Sequence, residues 1–306
     1  MPHPPVTVLM ALYQGERHLR EQLDSIAVQT APWRLVVGDD GSRDAGPRIV
    51  QDFAHDWPGR VELRVGPRRG AAANFMALLA GLPEAPGFAA LADQDDVWHP
   101  DKLSRALVAL ESCGDHPTLY CSRVRICDEA LQPLGLSRLP VSPPSFRHAL
   151  VQNLVQGNTV VLNRAAASLA RAAAQGAGKV TMHDWWLYQL VIGAGGRVIH
   201  DPEPSLLYRQ HGANVVGAND GAGARLASLK RMLKGRHRDW SRMNLREMQR
   251  LRDRLTPENR HVLDDFAALT GPSTLRRLRA LRHGGFYRQG RLSQAALWLA
   301  AALGRV

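Results

Sequence analysis

Three carboxylates fall within four residues at Asp93-Gln94-Asp95-Asp96, directly behind the apolar run Ala89–Ala92. Packed so closely, they repel one another unless a cation or strong donors stand among them. Asp93 and Asp95, with one residue between them, can both face one hard divalent ion. Mg²⁺ or Mn²⁺ is commonly held by one or two carboxylates together with substrate phosphate oxygens. A solvated acidic loop is the plainer reading. Placement straight after a buried strand favours the ion, because α/β sheets bind ligands beyond the carboxyl ends of their strands. A second acidic pair, Asp39-Asp40 in Gly38-Asp39-Asp40-Gly41-Ser42, also follows an apolar run. Its carboxylates can accept from a nucleobase imide or a ribose hydroxyl, or can form an Asx-turn and cap the next helix. In Met182-His183-Asp184-Trp185-Trp186, Asp184 is either a helix N-cap or a general base in an aromatic-walled pocket. The indoles of Trp185 and Trp186 either stack on the C–H face of a sugar or fill the core. Last, Arg209-Gln210-His211 gathers donors before a Gly-rich segment, where His211 can reach a metal or a diphosphate.

These groups need a scaffold, and the hydrophobic pattern supplies one. Short apolar runs at Val6–Ala11, Leu35–Gly38 and Ala89–Ala92 have the length of buried strands, and Val61–Val65 reads as a further strand. Helical spacing fills the intervals: 16–29, with Leu19, Leu23 and Ile26 on one face, then 45–53 and 74–82. Pro100 opens a further helix with Asp101 in its first turn. The alternation predicts an α/β domain with a mostly parallel central sheet flanked by helices. Beyond Tyr120 the pattern weakens. Residues 133–147 read as a long loop, 160–162 as a strand, 164–174 and 184–192 as helices, and 212–224 as a linker.

Charge divides the chain of 306 residues, whose net charge is +11. Residues 1–224 balance at −2 and residues 225–306 at +13, which suggests a near-neutral domain over 1–224 and a basic, mostly helical extension over 225–306. Arg242, Arg246, Arg250 and Arg254 recur every four residues, a stripe suited to solvent, to anionic lipid or to nucleic acid. The segment 292–303 is apolar, preceded by Arg288 and Arg291. It is too short to span a bilayer but suited to lying in its interface. The start of the chain lacks the basic and long apolar regions of a signal peptide. Three cysteines without metal-ligand spacing read as reduced thiols, so the expected location is cytoplasmic, peripheral on the inner face of the cell membrane.

Taken in order, VTVLMALYQGERHLREQLDSIAVQT, VVGDDGSRD, LADQDDVWHPDKL, HDWWL and YRQHGANVVG resemble the family 2 glycosyltransferases. The DQDDVW form and the closing YRQHGANVVG are similar to rhamnosyltransferase-like members of bacterial surface polysaccharide synthesis. The resemblance covers about residues 5–217 and implies a GT-A fold. It also implies inverting, metal-dependent transfer from a nucleotide-diphosphate sugar (a dTDP or UDP donor, rhamnose foremost) to a glycan or lipid-linked acceptor. It places Ala11, Tyr13 and Glu16 at the nucleotide, Asp39 and Asp40 at the base or ribose, and Gln94 with the donor. Asp93 and Asp95 match the metal-binding DxD, with Mg²⁺ or Mn²⁺ as cofactor, and His211 a position touching metal or diphosphate. Asp184 matches the catalytic base, although His183 stands where the family carries an acidic neighbour. Asp96, Trp98, Gly157, Asn158, Trp185, Trp186 and Arg209 fall along the substrate pocket. Another hexose from a UDP donor is the alternative. A nucleotidyltransferase would need a Gly-rich triphosphate loop near the N-terminus, and none is present. Nucleic acid is not expected as a partner, because the aromatic residues are not interleaved with the basic ones.

Overall fold

A computed structural model describes residues 4–210 and 236–306. His211, the linker at 212–224 and the first part of the basic extension lie outside the described residues. The contacts divide the chain into two units. One comprises Met1–Leu139, Val155–Gly176 and Gly196–Gly217; the other comprises Pro140–Leu154, Ala177–Gly195 and Ala218–Val306. Both are discontinuous in sequence, whereas charge alone suggested one boundary at residue 224.

The first unit is built on a nine-stranded sheet: β1 (Val6–Leu12), β2 (Trp33–Asp39), β3 (Val61–Val65), β4 (Ala89–Ala92), β5 (Val97–Trp98), β6 (Thr118–Cys127), β7 (Pro133–Leu136), β8 (Val161–Leu162) and β9 (Arg197–Arg209). The order is β3-β2-β1-β4-β8-β6-β9-β5, with β7 on β6. The pairs β1–β2, β1–β4, β2–β3 and β6–β9 are parallel, while β5, β7 and β8 pair antiparallel with their neighbours. Strands β1 and β4 are nearly all apolar because both of their faces are covered. The edge strand β3 instead carries Glu62 and Arg64, which keep an open edge from pairing with another chain.

Helices α1 (Leu19–Ala27), α2 (Gly46–Asp56), α3 (Ala71–Ala80), α4 (Lys102–Glu111) and α6 (Arg164–Ala174) belong to this unit. The second unit contains α5 (Phe146–Ala149), α7 (His183–Gly193), α8 (Arg236–Arg250), α9 (Pro257–Leu269), α10 (Thr274–His283) and α11 (Arg291–Leu303). Leu19, Leu23 and Ile26 are buried, as their spacing requires.

Several expectations need correcting. Helix α4 begins at Lys102, so Pro100 precedes it and Asp101 sits at its N-cap without a side-chain capping bond. The stretch 133–147 holds β7 and the start of α5. Helix α8 stops at Arg250 and Arg254 lies in a 3₁₀ turn, so the four-residue arginine stripe does not continue to Arg254.

Candidate active site

Register alone brings the sequence motifs to one edge of the sheet. Met10 pairs with Ala92 and Leu12 with Asp39, so β1, β2 and β4 all end at the same level. Tyr13, Asp39-Asp40 and Asp93 therefore emerge side by side, at the carboxyl edge where α/β sheets hold ligands.

The loops at this edge are tied to one another through side-chain-to-backbone bonds. The Gln94 amide holds Tyr13 at both backbone groups, accepting from its N–H (2.8 Å) and donating to its carbonyl (3.0 Å). Gln14, held at a positive φ of 50°, accepts from the N–H groups of Arg43 (2.8 Å) and Asp44 (3.2 Å). The Glu16 carboxylate accepts from the N–H of Ala45 (2.9 Å), at the start of α2. Glu16 thus works inside the scaffold as a helix-terminus anion. A Cβ at Gly15 would lie 2.7 Å from Gln94 Oε1, so a larger residue here would push against the amide that holds Tyr13. The Tyr13 ring is left 58% exposed at the mouth of this edge.

The two aspartates of β2 differ. Asp39 is half-buried, and its Oδ1 accepts from the Ser42 N–H (3.0 Å). Asp40 is buried, and its carboxylate accepts from the N–H groups of Arg68 (2.7 Å) and Gly70 (2.6 Å), just before α3. Asp39 thus forms the turn open to this motif, whereas neither carboxylate caps the next helix, α2: Asp40 instead holds the loop that leads into α3. Asp40 Oδ1 also accepts from the Arg69 N–H (3.4 Å), so lone pairs for a ligand remain on Asp40 Oδ2 and on Asp39.

The acidic run forms the loop between β4 and β5. Asp93 and Asp95 are half-buried, whereas Asp96 is fully buried. Asp96 Oδ2 accepts from Asn158 Nδ2 at 2.7 Å, and Oδ1 has no partner among the described residues. Burial raises the pKa of Asp96 well above its ordinary value, and the charges of Asp93 and Asp95 raise it further. Beneath the loop, Lys102 is also fully buried, its ammonium donating to the Asn158 carbonyl and lying 4.0 Å from the Trp98 ring centroid. Burial lowers its pKa to about 7. Lys102 and Asn158 therefore form the floor on which the acidic loop rests, and Gly157-Asn158 supports the loop from below. Lys102 escaped the sequence reading. Its signal was no more than a lysine two residues after Pro100, beside Asp101 and Leu103 at a helix start.

The loop's own chemistry suits a divalent cation. Three carboxylates crowd together, two of them accessible, and one buried oxygen carries no donor. Among the described residues no three His, Cys, Asp or Glu side chains make a complete metal cage. Asp93 and Asp95 thus fit an ion that draws its remaining ligands from phosphate oxygens and water.

Four substrate-pocket expectations change, those for Trp98, Arg209, Trp185 and Trp186. Trp98 is 2% exposed and belongs to the core, with its backbone N–H on Ser25 Oγ (3.0 Å). The Arg209 side chain is buried, its Nε donating to the Asp95 carbonyl at 3.1 Å and its terminal nitrogens to the Glu129 carbonyl and Glu21 Oε2. Arg209 positions the acidic loop by its backbone.

Asp184 belongs to the second unit, in the first turn of α7, where Met182 is the N-cap residue. It is half-buried; Oδ1 accepts from the Trp185 N–H (2.7 Å) and Oδ2 from Asn153 Nδ2 (3.0 Å). Burial lowers the pKa of the adjacent His183, against the pull of Asp184. Trp185 and Trp186 are buried, at 3% and 2% exposure. The Trp185 indole donates to the Ala149 carbonyl (2.6 Å) and meets Trp240 edge-on, so the pair is core and not a sugar platform.

With this geometry in hand, known proteins supply the comparison. A family model described as Glycosyl transferase family 2 matches residues 7–174. The chain is 28% identical over 225 residues to the dTDP-rhamnosyl transferase RfbG of Shigella flexneri, covering 69% of this chain and 74% of that protein. It is 31% identical over 221 residues to an uncharacterized protein of Mycobacterium tuberculosis, covering 69% of this chain but 60% of that protein's length. Among solved structures, S. aureus TarS in complex with UDP-GlcNAc aligns with a TM-score of 0.56 at 15% identity, covering 97% of this chain and 79% of that one. A mannosyltransferase from Pyrobaculum calidifontis, in complex with GDP-Man and Mn²⁺, aligns with a TM-score of 0.52 at 20% identity, covering 98% and 80%. At these identities the solved structures bear on the fold.

Proposed function

The chain belongs to glycosyl transferase family 2 and has a GT-A fold, and from that premise we propose that it transfers rhamnose from a dTDP donor, with inversion. The acceptor is a hydroxyl of a glycan or lipid-linked glycan in cell-surface polysaccharide synthesis, reached from the cytoplasmic side at the inner face of the membrane. The observation that carries the donor site is the acidic loop: Asp93 and Asp95 accessible at the sheet's carboxyl edge, above a floor made by Asp96, Asn158 and Lys102. The similarity to RfbG supports rhamnose and thymidine, with another hexose from UDP as the competing donor.

In this reading Tyr13, Asp39 and Asp40 receive the nucleoside, and Gln94 fixes the Tyr13 backbone against which it lies. Asp93 and Asp95 would hold Mg²⁺ or Mn²⁺, which when bound supplies positive charge to the departing diphosphate. His211, by the family pattern, is assigned to the same diphosphate. Asp184 takes the proton from the acceptor hydroxyl as that oxygen attacks the anomeric carbon from the face opposite the leaving group. A single displacement with one base and no covalent sugar intermediate inverts the anomeric centre. Asn153, bonded to Asp184 Oδ2, orients that carboxylate.

The test supplies the purified protein with dTDP-rhamnose or with UDP-glucose and UDP-GlcNAc, using a lipid-linked glycan extract as acceptor. Nucleotide release and the anomeric configuration of the product are followed by NMR. Transfer from dTDP-rhamnose to a product of inverted configuration is expected. Turnover of UDP sugars alone would overturn the donor assignment, and a retained configuration would overturn the single displacement.

A further inference from the structure

The amphipathic logic of α11 is reversed. Within the second unit, α10 and α11 are pinned together by Arg277, a buried guanidinium that donates to the carbonyls of Ala301 (2.6 Å), Pro272 (2.6 Å) and Gly271 (3.0 Å). Leu297, Ala300 and Ala301 form the buried face of α11. The outward face should then be polar. It carries Leu292, Ala295, Trp298, Leu299, Ala302 and Leu303 instead, all exposed and spaced three or four apart in one stripe. Leu292 is 74% exposed, and Leu275 on α10 is 72% exposed.

The surroundings of this stripe are cationic. Arg276, Arg279 and Arg282 are exposed on α10, Arg291 stands beside Leu292, and Arg305 follows the helix. From residue 266 to 306 the sequence contains no Asp or Glu. A partner must therefore be apolar where it meets α11 and anionic around it. A second copy of this chain would set one arginine rim against another, and residues 266–306 hold no carboxylate to offset the repulsion. A bilayer with anionic headgroups meets both demands. The helix has 13 residues, too few to cross a membrane, and among the described residues no helix is long and apolar enough to do so.

We propose that the α10–α11 hairpin docks this protein onto an anionic membrane surface. Helix α11 lies in the interface with Trp298 at headgroup depth, and the α10 arginines rest on lipid phosphates. The proposal uses side chains of the second unit alone and does not depend on the donor or acceptor chemistry.

Vesicle flotation of the full chain tests it, comparing phosphatidylcholine vesicles with vesicles that also contain phosphatidylglycerol. The wild type should partition onto the anionic vesicles at least about tenfold more strongly. Replacing the exposed side chains in Arg276→Gln/Arg279→Gln/Arg282→Gln should weaken that partitioning roughly a hundredfold. Trp298→Ser/Leu299→Glu should reduce it to background, with the thermal melt of both variants unchanged. Absence of wild-type binding, or equal binding to both vesicle types, would overturn the proposal. So would a concentration-dependent dimer in sedimentation that Leu299→Glu abolishes while vesicle binding is absent.

Discussion

Removing the Asn158 side chain should unsettle the acidic loop from beneath. Asp96 has no exposed surface, and its only bonded oxygen among the described residues is Oδ2, held by Asn158 Nδ2 at 2.7 Å. Asn158→Ala leaves both oxygens of a buried carboxyl without a donor, while the Lys102 bond to the Asn158 carbonyl is retained because it is made to the backbone. Orphaning such a group costs about 2–3 kcal/mol, and at about 1.6 °C per kcal/mol for a chain of this size Tm falls by roughly 3–5 °C. Asp96→Asn makes the useful contrast. It keeps an oxygen for Asn158 and replaces a carboxyl whose ionised form burial and the charges of Asp93 and Asp95 disfavour. Its stability in metal-free buffer should lie within about 1 kcal/mol of wild type, or above it. The assay is calorimetric or fluorescence melting of the three proteins side by side. An Asn158→Ala melt within about 1 °C of wild type, or an Asp96→Asn protein as weak as Asn158→Ala, would refute the buried floor.

Further outcomes follow from the same geometry. Asp184→Asn should lower turnover by about 10²–10⁴-fold while donor binding, read by nucleotide titration, is kept; normal turnover would remove Asp184 as the base. His148 has its pKa lowered to about 4 by burial, with Arg288 adding to the effect. Its Nε2 lies 3.2 Å from the Gln289 amide nitrogen, which donates to it, so Nδ1 carries the proton toward Tyr188 Oη (3.0 Å). The folded state therefore resists protonation that the unfolded chain accepts near 6.5. Stability should be full above that pH and fall as pH drops from about 6.5 to 4, by an order of 3 kcal/mol. Equal acid sensitivity of His148→Gln and wild type in denaturant titrations would count against this. Gly38→Ala would put a Cβ 2.3 Å from Asn74 Oδ1, whose amide also holds the Gly38 carbonyl (2.6 Å). A loss of about 1–3 kcal/mol is expected by melting, and an unchanged Tm would show that Asn74 can yield.

The half of the sheet that positions the candidate site was legible because β1 and β4 are buried on both faces and read as plain apolar runs, with the edge strand β3 following at the expected interval. Val61–Val65 and Ala89–Ala92 coincide with β3 and β4, and the 164–174 helix with α6. The other half was not. Strand β6 is central yet carries Ser122, Arg123 and Arg125, and β9 interrupts itself with Pro202 and Pro204. Their polar groups are satisfied across strands, Ser122 Oγ meeting Ser205 Oγ at 2.6 Å, and such pairing cannot be seen in either strand alone. The acidic and turn motifs announced themselves by composition. Whether an indole stacks on a ligand or fills a core is settled by packing, which is why Trp98, Trp185 and Trp186 read as pocket residues and proved buried. Arg209 misled for a similar reason, since a guanidinium bound to backbone carbonyls has the same sequence signature as one bound to phosphate.

The central claim, a nucleotide-diphosphate site organised by the acidic loop, is tested most directly by melting the protein with dTDP and with UDP, each with and without Mn²⁺. A ligand present at a hundred times its Kd stabilises the folded state by about 2.7 kcal/mol. The wild type should be stabilised by one of these nucleotides only when Mn²⁺ is present, and Asp95→Ala should lose that response while keeping its own melting temperature, because Arg209 holds residue 95 by its backbone carbonyl. Stabilisation that persists in Asp95→Ala, or none in the wild type with either nucleotide and Mn²⁺, would contradict the account.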